Sequence, residues 1–83
     1  MRLVTSIALL SLMIAVPAQA SRPVTDAERP KLVAAIAAAG CSGGKMVWDD
    51  PHYEVDEAVC SDGRRYDLKF DAEFKLIQKR LEK

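Results

Sequence analysis

Four residues around one turn carry most of the coordinating chemistry of this chain: Asp49, Asp50, His52 and Glu54. His52 is the sole histidine. A general base needs a positioned partner and a reacting group to serve. The aspartates are near in sequence, but no nucleophile motif accompanies them. Ser42 and Ser61 fall in turn-forming stretches and lack the glycine pattern of a hydrolase serine. No set of catalytic roles is filled, so the chain reads as non-enzymatic. The same four residues offer oxygens and one nitrogen to a cation. Hard cations want several oxygens held by a loop of the D-x-D-x-D-G kind, and that loop is absent. The turn carboxylates therefore read as solvated, with no metal and no cofactor expected.

Cys41 and Cys60 are the only cysteines. They lack C-x-x-C spacing, and one histidine does not complete a usual zinc set. In an oxidising compartment, such a pair in a small domain reads as one structural disulfide. Closing a loop of about 20 residues stabilises by about 3 kcal/mol through chain entropy.

The compartment follows from the start of the chain. Arg2 supplies a positive charge, the run from Ile7 to Val16 is apolar, and Pro17 breaks it ahead of Ala18-Gln19-Ala20. Charged start, apolar middle and small-x-small exit are the parts of a signal peptide. The apolar run is shorter than the roughly 20 residues that a membrane span needs. Residues 1–20 are thus expected to be a cleaved leader. Residues 21–83 are expected to be one small periplasmic or secreted domain with no membrane span. A domain of this size buries only about 60% of its unfolded surface, so a covalent staple matters. The whole chain is formally neutral, and loss of Arg2 leaves about −1. Nothing there suits nucleic acid or a membrane surface. Residues 49–62 hold acids without Lys or Arg, whereas basic residues crowd the chain from Arg64 onward. Strands of opposite sign compensate each other across a sheet.

These side chains need elements to hold them. Thr25-Asp26-Ala27-Glu28 has the form of a capping box. A helix follows through Lys31–Ala39, with Leu32, Ile36 and Ala39 on one face and Val33 and Ala35 beside it. Pro30 requires either a bend or a regular start at that residue. Gly40 ends the helix, and Ser42-Gly43-Gly44 reads as a flexible connector. Lys45–Trp48 is a short strand and Asp49–His52 a turn. Tyr53–Cys60 is the longest strand, and its alternation has a fault. A bulge at Asp56-Glu57 would turn Tyr53, Val55, Ala58 and Cys60 all inward. Ser61-Asp62-Gly63 signals a hairpin, and Arg64–Phe70 alternates with Tyr66, Leu68 and Phe70 on one face. Residues 71–83 fit a helix capped by Asp71, with Phe74, Ile77 and Leu81 on one face. They also fit a turn followed by a strand. The aromatic residues Trp48, Tyr53, Tyr66, Phe70 and Phe74 read first as core. Trp48, with His52 and Tyr53 at the hairpin, is the candidate partner contact.

Tyr53-Glu54-Val55, Asp62-Gly63, Tyr66-Asp67-Leu68 and Asp71, after a helix ending in Ala39-Gly40, resemble the PepSY domain family over about residues 25–79. The family's module occurs in propeptides of secreted metallopeptidases and in small exported bacterial proteins. Many members carry a glycine after the Asp turn, where this chain has Glu73-Phe74, and the cysteine pair is not a general family feature. The resemblance implies an α+β fold: one N-terminal helix packed on a three- to four-stranded antiparallel sheet, with the tail as a strand. It also implies a non-enzymatic binding module whose partner is an exported peptidase. A small ligand or metal carrier using the acidic Asp49–Asp56 region is the alternative.

Overall fold

The computed structural model describes residues 21–83, so the expected leader lies outside the described residues. Among the described residues, one helix, α1 (Glu28–Ala38), packs on an antiparallel sheet of six strands. The strands are β1 (Arg22–Pro23), β2 (Cys41–Ser42), β3 (Lys45–Asp49), β4 (His52–Cys60), β5 (Arg65–Phe70) and β6 (Leu76–Leu81). Their order is β1-β3-β4-β5-β6, with β2 pairing the far end of β4. The α+β class holds, but two details of the expected architecture need correction. The sheet has six strands rather than three or four, and a strand precedes the helix. Both extra strands, β1 and β2, are two residues long. An alternation pattern needs four or more residues to register.

The helix starts with the reciprocal capping box. The Glu28 amide donates to Thr25 Oγ1 at 3.1 Å, and the Thr25 amide donates to Glu28 Oε1 at 2.8 Å. The helix begins before Pro30, which occupies its first turn, where a missing N–H does least harm. Leu32 and Ile36 are fully buried, whereas Val33 is 48% exposed and lies off the packed face.

β4 is the spine of the sheet, paired along both edges. The expected bulge is present. Val55 faces Leu68 and Ala58 faces Tyr66, so Asp56 and Glu57 share the single residue Asp67. Glu57 takes the left-handed conformation at φ 58°, and its amide donates to Asp67 Oδ1 at 3.1 Å. Tyr53, Val55, Ala58 and Cys60 are all buried as a result, and Glu57 is exposed. Cys60 then meets Cys41 across the β2–β4 ladder, and the two form a disulfide spanning 19 residues. Gly43-Gly44 is the point where one edge of β4 passes from β2 to β3, so the expected connector is partly strand. A Cβ on Gly44 would lie 2.7 Å from Val55 Cγ1 and 2.9 Å from the Asp56 carbonyl oxygen. Only glycine lets the backbone pass the bulge so closely.

The tail is a strand. β6 pairs β5 and forms the outer edge. Every residue of β6 is exposed.

Candidate functional site

The sheet is held at one end by the disulfide. At the other end, two clusters of polar and aromatic groups meet around the β3–β4 hairpin. The first lies on the helix side. Glu28 reaches down from the first turn of α1, and Arg22 on β1 grips it with both guanidinium nitrogens, at 2.9 and 3.0 Å. The Tyr53 hydroxyl donates to the same carboxylate at 2.5 Å. Hydrogen bonds to a charged carboxylate favour the charged form. Arg22 first, then the Thr25 amide and Tyr53, hold Glu28 far below the usual carboxylate range. Burial, followed by the bond to Glu28, pushes the Tyr53 phenol up to about 12. Tyr53 is therefore a permanent donor at any physiological pH.

Aromatic rings extend this cluster. The Trp48 ring meets Tyr53 edge-on with centroids 4.6 Å apart, and the Arg22 guanidinium lies 5.5 Å from the Trp48 centroid. On its other side Tyr53 stacks on Phe74, at 4.9 Å and 16°. Such contacts add about 0.5–1.5 kcal/mol beyond burial. Tyr53 is 4% exposed, so it belongs to the core and supports Trp48 from behind. Trp48 itself is half-buried, intermediate between a core ring and an exposed anchor.

The second cluster lies on the open face of the sheet. Asp49 and His52 are register partners that close the hairpin, and Glu54 is two residues further along β4 on the same face. His52 Nε2 lies 3.4 Å from Glu54 Oε2 and 3.7 Å from Asp49 Oδ2. The neighbouring Asp49 carboxyl and partial burial raise the Glu54 pKa above its ordinary value, while His52 opposes them. Asp50, grouped with these residues by sequence, is exposed and outside the cluster. The rest of the open face is charge-compensated. Asp67 pairs with Arg80 at 3.7 Å, Arg65 with Glu57 at 3.5 Å, and Glu54 stands opposite Lys69 in register.

Three participants were not legible as site residues. Arg22 lies in what reads as a polar lead-in, and no local pattern marks its pairing. Glu28 carries a capping signal, but nothing in the sequence shows that its carboxylate also takes Arg22 and Tyr53. Phe74 could have been noticed as the bulky residue in the turn where the family often has glycine.

Fold and site together define a helix-on-sheet module whose described polar groups are engaged mainly with one another. The chain belongs to the family described as peptidase propeptide and YPEB domain, whose pattern it matches over residues 4–80. Neither a curated protein nor a solved structure matches it significantly. Among the described residues no helix is long and apolar enough to cross a membrane, and the disulfide fits an oxidising compartment.

Proposed function

We propose that this chain is an exported, non-enzymatic binding module that engages a peptidase of the cell envelope or the surrounding medium and restrains it. Family membership across residues 4–80 is the observation that carries the reading. The leader-like start of the chain and the disulfide support export to the periplasm or beyond.

The surface best suited to a partner is β6. Among the described residues it is an open sheet edge, and Leu76, Ile77 and Leu81 expose 42%, 55% and 43% of their surface. Edge strands accept extended peptide segments through backbone hydrogen bonds, and side chains then supply selectivity. Lys79 and Arg80 on this strand oppose pairing of two copies edge to edge and favour an acidic segment on the partner. Trp48 and His52 at the hairpin, with Tyr53 behind Trp48, form the second contact.

The test is cross-linking of the full chain in its native envelope, followed by peptidase assays on whatever is captured. Capture of an exported peptidase and its slowing by added protein support the reading. The Ile77→Lys variant, folded but no longer captured, would place the contact at β6. Failure to retain or slow any exported peptidase sinks the inhibitory role.

A further inference from the structure

We propose that Asp49, His52 and Glu54 form a binding site for one divalent transition-metal ion of the zinc class on the open face of the β3–β4 hairpin. The site does not rest on the peptidase reading, although it shares His52 with the second contact proposed there. Its three donors come from one rigid element: a register pair across the hairpin, and a residue two further along the same strand. The strand period of two sends His52 and Glu54 to one face. One donor atom from each residue falls within 4.8 Å of the others.

The distances suit an ion. Zinc binds nitrogen and carboxylate oxygen at about 2.0–2.2 Å, which sets neighbouring donors of a tetrahedron about 3.3–3.6 Å apart. His52 Nε2 is already 3.4 Å from Glu54 Oε2 and 3.7 Å from Asp49 Oδ2. The remaining edge, between the Asp49 and Glu54 carboxylates, is within 4.8 Å. Three ligands leave a fourth position for water or for a group from another molecule.

The donor set narrows the ion. An imidazole nitrogen beside two carboxylates is a poor cage for calcium or magnesium, which want oxygen throughout, and a good one for zinc, cobalt or nickel. The imidazole also distinguishes this cluster from the ordinary acidic patches of a protein surface. The site's electrostatics agree, because the two carboxylates crowd each other and their mutual repulsion is relieved by a cation between them. Lys69, on β5, stands opposite Glu54 in register, but the base within ion-pair distance of Glu54 is His52. All three side chains are between 20% and 35% exposed, partly shielded yet reachable.

The experiment is titration of the untagged, exported protein with zinc by calorimetry and with cobalt by visible absorption. The expected result is one equivalent bound, cobalt bands of a low-coordinate ion that zinc displaces, and no response to millimolar calcium. His52→Ala and Glu54→Gln should each weaken zinc binding at least about tenfold. Asp50→Asn should leave it unchanged, because Asp50 stands outside the cluster. Amide NMR spectra confirm that each variant is folded. No zinc binding at millimolar concentration, or native affinity in the folded His52→Ala protein, would overturn the site.

Discussion

The two ends of this small sheet are secured by different chemistry. At one end α1 exits through Gly40, Cys41 bonds to Cys60, and the β4–β5 hairpin turns through Ser61-Asp62-Gly63. At the other end the start of α1 is tied to β1 and β4 by Arg22, Glu28 and Tyr53, and the β5–β6 hairpin turns through Ala72-Glu73-Phe74. The two turns share a backbone pattern. Cys60 N–H donates to the Arg64 carbonyl and Gly63 N–H to the Cys60 carbonyl. In the second turn Asp71 N–H donates to the Lys75 carbonyl and Phe74 N–H to the Asp71 carbonyl. The third loop residue is left-handed in both, Gly63 at φ 80° and Phe74 at φ 65°. Glycine takes that conformation without steric cost. Phenylalanine does not, and here its ring is repaid by the stack on Tyr53. One end therefore relies on a covalent bond and a permissive residue. The other relies on side-chain contacts that make an unfavourable backbone worthwhile.

The largest effect should come from the covalent end. Replacing both Cys41 and Cys60 by alanine, or reducing the bond, should cost about 3 kcal/mol and lower Tm by roughly 10–20 °C for a domain of this size. Thermal unfolding by circular dichroism, with and without reductant, measures it. A shift of only a degree or two would mean that the non-covalent end carries the fold.

The ionic end should reveal itself through pH. Glu28 has a folded pKa far below its ordinary 4.5. Its stabilisation is thus fully present above that ordinary value and declines as pH falls below it toward the folded pKa. Glu28→Gln should cost about 1–2 kcal/mol at neutral pH through loss of the charged cap and the Arg22 pair. The gap between native and variant should narrow below about pH 4.5. Denaturant unfolding at several pH values tests this, and a constant gap would place the network's energy elsewhere.

The turns sharpen the comparison at the smallest scale. Gly63→Ala should cost about 1 kcal/mol, since φ forbids an easy fit even though a Cβ there meets nothing within 4 Å. Phe74→Ala should cost more than Phe74→Gly. Both lose the ring's contact with Tyr53, and only glycine also relieves the left-handed strain of about 1 kcal/mol. The reverse order in urea melts would show that Phe74 is not strained and that the two turns differ less than their sequences suggest.

Much of this was legible residue by residue. Thr25 and Glu28 announced the cap, and Asp62-Gly63 the hairpin. The interrupted alternation of Tyr53–Cys60 foretold the bulge that aims Cys60 at Cys41. Each is a local pattern whose meaning depends on neighbours a few positions away. The tail resisted a local reading because Phe74, Ile77 and Leu81 satisfy a helical spacing as well as a strand. Pairing with β5 settled it, and that contact is long-range.

The amino-acid order alone determined the helix, the β4–β5 hairpin and the spine strand, because backbone preference and period act over a turn or a pleat. Only the tertiary structure decided that Arg22 and Tyr53 share the carboxylate of Glu28, and that Phe74 earns its turn by stacking on Tyr53. It also decided that Asp49, His52 and Glu54 converge while Asp50 stays outside the cluster. Those meetings arise from strand register and the helix's place on the sheet. No local spacing encodes them, since the partners come from different elements or depend on which face of one strand is turned outward.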